Sequence, residues 1–301
     1  MLEDSKIKIL VCCHKPSELP QDGIFLPIHV GAAISEANLG IQRDDQLNGE
    51  PCDNISNKNR SFCELTAIYW AWKNIKSIYP NLEYIGLNHY RRFFAFNETR
   101  LTSSGIPKDV KGISEYKLDI SRIESWLSAN MVITTPRAYL KTSVASGYEH
   151  AHYSSDLRVI HDIVRNDYPE FLNAFNDVFL GSNYFYDCNM FIMPWNEFDD
   201  YCKWLFGILF KAEKIIDIEK YDSYQKRIYG FLAERLWTVW VKYKQYSLKN
   251  LNYYVYTENP KKIDEGLVAR LKYKKMRIKD NFAFFLSKVR GNKQERYWTV
   301  P

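Results

Sequence analysis

Four short apolar runs, each closed by polar residues or proline and separated by segments of helical periodicity, restrict this chain to an alternating α/β architecture. The runs are Ile7–Cys13, Leu82–Leu87, Met131–Thr135 and Asn189–Met193. They are too short for buried helices, and their apolar character suits strands covered on both faces. His14-Lys15-Pro16 follows the first run and Asn88-His89-Tyr90-Arg91-Arg92 the second, while Pro136 and Pro194 stop the third and fourth. Between them, Phe62–Ile78 places Leu65, Ile68, Tyr69, Trp72 and Ile75 at spacings of three and four, the stripe of an amphipathic helix. Ser61 and Glu64 read as its capping box, and Pro80 follows its end. Ser121–Ser128, Asp156–Arg165, Pro169–Val178, Phe198–Ala212 and Tyr229–Lys242 read as further helices. The expected fold is an α/β sandwich around a mostly parallel sheet, with ligands gathering at the carboxyl ends of its strands. At 301 residues the chain accommodates one large domain or two small ones.

Absent motifs narrow the chemistry. The chain has no Gly-x-Gly-x-x-Gly and no Gly-x-x-x-x-Gly-Lys-Ser/Thr, which argues against a Rossmann dehydrogenase or a P-loop NTPase. Gly-x-Ser-x-Gly is also missing, against a nucleophile-elbow hydrolase. Cys12, Cys13, Cys52, Cys63, Cys188 and Cys202 form no Cys-x-x-Cys pair, so neither a zinc site nor a disulfide framework is expected. His150 and His152 stand two apart, a poor metal pair on a helix, with or without His161. The net charge is +5, but residues 261–301 hold 12 of the 41 basic residues and only 4 of the 36 acidic ones. The body is therefore mildly acidic and the tail basic, unlike a nucleic-acid-binding domain, and no nucleic-acid partner is expected. No run reaches the roughly 18 apolar residues of a membrane span. The first residues lead straight into a strand without a signal-peptide pattern, so a cytoplasmic location is expected. Aromatic residues make up 16% of the chain. Their rings suit either a core or the apolar C–H faces of sugars.

The polar clusters at the strand ends are the candidate site. Arg91 and Arg92 after a buried strand supply permanently charged donors suited to a diphosphate, or else pair with surface acids. The long segment 15–60 carries Asp44, Asp45, Asp53, Asn54, Asn57 and Asn59, whose carboxylates and amides suit ribose hydroxyls and a uracil edge, or simple turn chemistry. Glu234 and Arg235 sit inside an apolar helical run, as a perturbed carboxylate and its partner or as a structural ion pair. Asp187 and Asn189 flank the start of the fourth run.

Taken in order, Arg43-Asp44-Asp45, Asp53-Asn54-Ile55-Ser56, Phe62-Cys63-Glu64-Leu65-Thr66 with Tyr69-Trp70-x-Trp72-Lys73-Asn74, Gly86-x-x-His89-Tyr90-Arg91-Arg92, Asn189–Met193 and Gly230–Leu236 resemble a bacterial family filed as a domain of unknown function (4422). Its members sit in capsule, exopolysaccharide and O-antigen clusters, and the match runs from about Lys6 to about Tyr256. The segment Tyr184–Cys188 and the tail after Pro260 match none of its motifs. The resemblance implies a GT-A-like glycosyltransferase moving a sugar, with galactofuranose from UDP-galactofuranose as the leading donor, to a lipid-linked cell-surface glycan. On that reading His14, Asp44, Asp45, Asn54, His89 and Arg91 line the donor pocket, with Arg92, Asn189 and Arg235 as further contacts. Glu234 ranks first and Asp187 second as the base. His89-x-Arg91 stands where such transferases usually carry a metal-gripping Asp-x-Asp. Dependence on a divalent cation, manganese or magnesium, is therefore the weaker expectation. A non-catalytic glycan- or nucleotide-binding module, or a phosphosugar transferase, would keep much of the same pattern. The expected division is a catalytic domain over 1–260 and a basic amphipathic tail over 261–301. The tail interleaves Lys272, Lys274, Lys275, Arg277 and Lys279 with Leu271, Tyr273, Met276 and Ile278, then presents Phe282, Phe284, Phe285 and Leu286, and would dock peripherally on an anionic membrane or pack as a solvated basic helix on the mildly acidic body.

Overall fold

The computed structural model describes residues 6–97, 108–112, 116, 118–260 and 267–289. The chain opens with β1 (Ile7–Cys13) and β2 (Phe25–His29), then the short β3 (Gln42–Arg43), β4 (Gln46–Leu47) and β5 (Glu50–Pro51). Next come α1 (Asn59–Phe62), α2 (Leu65–Ile78), β6 (Tyr84–His89), β7 (Arg92–Phe94) and β8 (Lys108–Val110). α3 (Ile120–Ser128) leads to β9 (Met131–Thr134), β10 (Arg137–Tyr139), α4 (Val144–Ala151), α5 (Ser154–Asp167) and α6 (Leu172–Phe179). β11 (Tyr184–Tyr186), β12 (Phe191–Pro194), α7 (Trp195–Glu213), α8 (Ile228–Lys244), β13 (Ser247–Asn250), β14 (Tyr253–Tyr256) and α9 (Leu267–Val289) complete it.

The main sheet runs β13-β9-β12-β6-β1-β2-β3. β1, β2, β3 and β6 are parallel, as are β9 and β13, while β12 runs antiparallel to both its neighbours. The period-two alternation of β1 sorts its side chains to two cores. Ile7, Ile9, Val11 and Cys13 face α3 and β7, and Leu10 and Cys12 face α2, α7 and α8. Helices thus cover both faces, the layering expected of an α/β sandwich around a mostly parallel sheet. Most of the aromatic excess fills these cores. Trp70, Trp237, Tyr148, Tyr201 and Tyr229 are fully buried.

Two local readings are corrected. The helix expected from Phe62 is broken: α1 ends there, Cys63 takes φ 52°, and α2 begins at Leu65. Ser61 and Glu64 make no capping box. The Ser61 hydroxyl donates to the Lys58 carbonyl, and the Glu64 carboxylate accepts from Asn189 Nδ2 at 2.6 Å, a long-range partner that outcompetes a local cap. The helix expected over Pro169–Val178 starts as a single 3-10 turn, Pro169–Phe171, before α6.

α9 realises the described part of the tail; residues 261–266 and 290–301 lie outside the described residues. It rests on the β10–β11 ribbon through Asn183 Nδ2 donating to Asn281 Oδ1 at 3.0 Å and Arg277 stacked 4.2 Å over Tyr139. Leu271, Ile278, Phe282 and Phe285 stay exposed along one stripe, beside exposed Lys274, Lys275 and Lys279. Among the described residues no helix is long and apolar enough to cross a membrane.

Candidate active site

The carboxyl ends of β1 and β6 lie side by side, and because β12 is antiparallel, the segment leading into it reaches the same edge of the sheet. A cleft of about 990 Å³ opens there. Its wall combines His14, Val30, His89, Tyr90, Arg91, Arg92 and Cys188 from the strand ends with Asn59, Arg60, Cys63 and Glu64 from the α1–α2 break. The other wall is Tyr221, Ser223, Lys226, Arg227, Gly230, Phe231 and Glu234, from the approach to α8 and its first turns.

The strand ends are fixed by backbone. Tyr90 N donates to the Cys12 carbonyl at 3.0 Å, His89 pairs with Arg92 across the β6–β7 turn, and Tyr256 N donates to the Arg91 carbonyl at 2.8 Å. Arg91 is thereby held at the tip of a tight turn, its guanidinium 5.2 Å from the Tyr90 ring. Burial, reinforced by Lys15, Arg91 and Arg227, holds the His14 imidazole below its ordinary pKa. His89 Nε2 donates to the Cys188 carbonyl at 2.7 Å, and burial lowers its pKa too, so this ring is neutral at pH 7 with Nδ1 unprotonated. Arg227 Nε reaches Cys63 Sγ at 3.4 Å; burial pushes that thiol up to about 12, so it stays protonated. The cleft thus gathers five permanent cations, Arg60, Arg91, Arg92, Lys226 and Arg227.

Two carboxylates face these cations. Glu234 Oε1 accepts from Cys188 N at 3.0 Å and Oε2 from Arg235 Nη1 at 3.0 Å. Burial, with Glu64 and Asp187 nearby, outweighs Arg235 and raises its pKa to about 7. Glu64 is held by Asn189, whose left-handed backbone (φ 50°) lets the chain turn into β12 beneath it.

The remaining sequence candidates lie outside this lining. Asp44 is fully buried, and its carboxylate accepts from Gly31 N at 2.7 Å, Ala32 N at 3.0 Å and the Ser56 hydroxyl. Asp45 is occupied bidentately by Arg43 at 2.6 and 2.8 Å. Asn54 closes a local turn, donating to the Cys52 carbonyl and accepting from Ser56 N. These three brace the early loop rather than reach the cleft. Gly31, at φ 69°, lets that loop press against Asn59; a Cβ there would fall 2.7 Å from the Asn59 side chain. Asp187 sits behind Cys188, its carboxylate accepting from the Tyr253 hydroxyl at 3.4 Å, with burial raising its pKa. Asn189 supports Glu64, and Arg235 turns back to the Phe231 carbonyl and stacks 4.4 Å over Phe185. Conversely, Arg60, Glu64, Lys226 and Arg227 enter the cleft from helix ends; the sequence signal for Glu64 was its place in the Phe62–Thr66 motif.

Among the described residues no group of three His, Cys, Asp or Glu side chains converges as a metal site needs, and the strand end that would carry one presents His89 and Arg91.

The molecule is thus an α/β sandwich around a mostly parallel sheet, with a cationic cleft at one sheet edge. The chain belongs to the family described as Domain of unknown function (DUF4422), which matches residues 8–245. It is also similar to the apo structure of the WbbM bifunctional glycosyltransferase, with a TM-score of 0.74 and 29% identity over 84% of this chain and 46% of that one. The chain therefore spans less than half the length of that protein, and the fold is a glycosyltransferase fold. No curated protein matches it.

Proposed function

We propose that the chain transfers a sugar from a UDP-sugar, with UDP-galactofuranose as the leading donor, to a hydroxyl of a growing cell-surface glycan. The observation that carries this reading is the convergence of five cations and a perturbed carboxylate on one cleft at the carboxyl edge of the sheet. In the proposed step Glu234 takes the proton of the acceptor hydroxyl as its oxygen bonds to the anomeric carbon. The bond from that carbon to the β-phosphate oxygen breaks, its electron pair leaves with UDP, and the configuration inverts. Arg91, Arg92, Arg60, Lys226 and Arg227 neutralise the departing diphosphate, the charge compensation that a divalent metal supplies elsewhere. Residues 1–260 carry this chemistry. Residues 261–301, through the apolar stripe and lysines of α9, hold the protein on the anionic inner face of a membrane, where a lipid-linked acceptor is within reach. The test is UDP release across a panel of UDP-sugars with a lipid-linked acceptor. Acceptor-dependent release with one donor supports transfer, whereas glycan binding without release from any donor leaves only a binding module.

A further inference from the structure

Among the described residues most aromatic side chains are buried or half-buried, but a group at the cleft mouth includes two exposed tyrosines. Tyr224 is 53% and Tyr153 45% exposed. Tyr224 packs 5.1 Å from Phe231, and His152 stacks on Phe231 at 4.3 Å. Tyr153 lies 4.4 Å from Tyr221. Tyr221, Ser223 and Phe231 belong to the cleft wall, so the rings continue that wall outward.

The platform is braced. Asp222 Oδ1 accepts from Tyr224 N at 2.9 Å and Gln225 N at 2.7 Å. The Gln225 side chain donates to the Ala151 carbonyl at 2.8 Å and meets His152 Nδ1 at 3.0 Å, and the Tyr221 hydroxyl donates to Asp156 at 2.7 Å. The loop before α8 is thus tied to the α4–α5 junction. Exposed rings held this firmly offer flat apolar faces flanked by hydroxyls, the surface that a pyranose or furanose ring covers with its C–H face while its hydroxyls keep polar partners. Their position says which sugar. Phe231 and Glu234 are three apart on α8 and share a face, so a ring lying on the platform brings its hydroxyls toward Glu234. Arg91, in the β6–β7 turn, and Arg92, on β7, belong to the strand-end wall, while Lys226 and Arg227 lie beside the platform, Arg227 5.5 Å from the Phe231 ring, between the shelf and the strand ends.

We propose that Tyr153, Tyr221, Tyr224 and Phe231 form a stacking shelf for the sugar rings of the acceptor glycan. The assignment rests on the transferase reading, yet it is separable from it by experiment. Saturation-transfer NMR with lactose, maltose and cellobiose as soluble probes is run beside calorimetric titration of UDP. Wild-type protein transfers saturation to at least one disaccharide. Tyr224→Ala and Tyr153→Ala, both at exposed positions, weaken that binding by about tenfold, the loss of one ring contact. Tyr224→Phe keeps it, and UDP affinity stays within about twofold in all variants, well under the tenfold that 1.4 kcal/mol represents. Unchanged sugar binding in both alanine variants, or no sugar binding by wild-type protein, overturns the shelf. Loss of UDP affinity with sugar binding intact also overturns it, by making the rings a seat for the base. Disaccharide binding that depends on Tyr224 in a protein that does not bind UDP keeps the shelf and sinks the transferase reading.

Discussion

Glu234 is held by one backbone amide and one guanidinium while its surroundings oppose its charge, and that balance sets two measurable behaviours. Its pKa of about 7 exceeds its ordinary 4.5. The folded chain therefore binds this proton more tightly than the unfolded chain, and the group's contribution to stability falls as pH rises from about 4.5 to 7. Chemical denaturation across that window should show the decline, and Glu234→Gln should flatten it. As the proposed base, Glu234 acts only when ionised, so turnover should rise with pH through about 7, and Glu234→Gln should lose about 10²–10⁴-fold in turnover with UDP affinity retained. Near-normal turnover in the folded variant makes Glu234 structural. Arg91→Ala should weaken UDP-sugar binding by about 1.5–3 kcal/mol, the range for a hydrogen bond to a charged group, and unchanged UDP affinity removes Arg91 from the site. Of the sequence candidates, His14, His89, Arg91, Arg92 and Glu234 share the cleft lining, and each is visible in the sequence because it follows a strand or interrupts an apolar run. Asp44, Asp45 and Asn54 instead brace the early loop, because carboxylates and amides that suit a ribose equally satisfy loop amides and a neighbouring guanidinium. Arg227 left no comparable signal, since a basic residue at a helix start is unremarkable until the fold brings it beside Cys63.

At the scale of elements, short strands and long helices were readable from periodicity, and their ends less so. The kink at Cys63 is hidden in the sequence because one of its two supports, Asn189 on Glu64, comes from afar; the other, Asn59 Nδ2 on the Cys63 carbonyl at 2.7 Å, is local. The direction of β12 was likewise invisible, since an apolar run reads the same in either sense. α9 was legible as an amphipathic helix, but its seat on the β10–β11 ribbon was not. Because that seat uses Asn281 and Arg277, Phe282 and Phe285 remain exposed for another contact. Phe282→Glu with Phe285→Glu should abolish co-sedimentation of the full chain with anionic vesicles at low salt while leaving thermal stability within about 1 kcal/mol, as exposed substitutions do. Vesicle partitioning equal to wild type, or equal for the full chain and one ending at Pro260, assigns the tail to some other role.

For the whole molecule, the balance of charge around the cleft predicts how the proposed activity answers to added ions. If the cleft cations face a diphosphate as proposed, the proposed sugar transfer should persist in EDTA, and UDP affinity should fall as ionic strength rises and the field is screened. Complete loss in EDTA, restored by manganese, means that carboxylates hold a metal after all. The reversed strand β12 has a consequence for how the site comes into being. Its lining runs from Cys12 to Glu234, and Cys188 joins it only after β12 has docked between β6 and β9. Contacts so distant along the chain bear a large loop-closure cost and form late in folding. Because α8 supplies Gly230, Phe231 and Glu234, a chain lacking it cannot complete the cleft, so recovery of nucleotide binding during refolding should trail the recovery of helical signal.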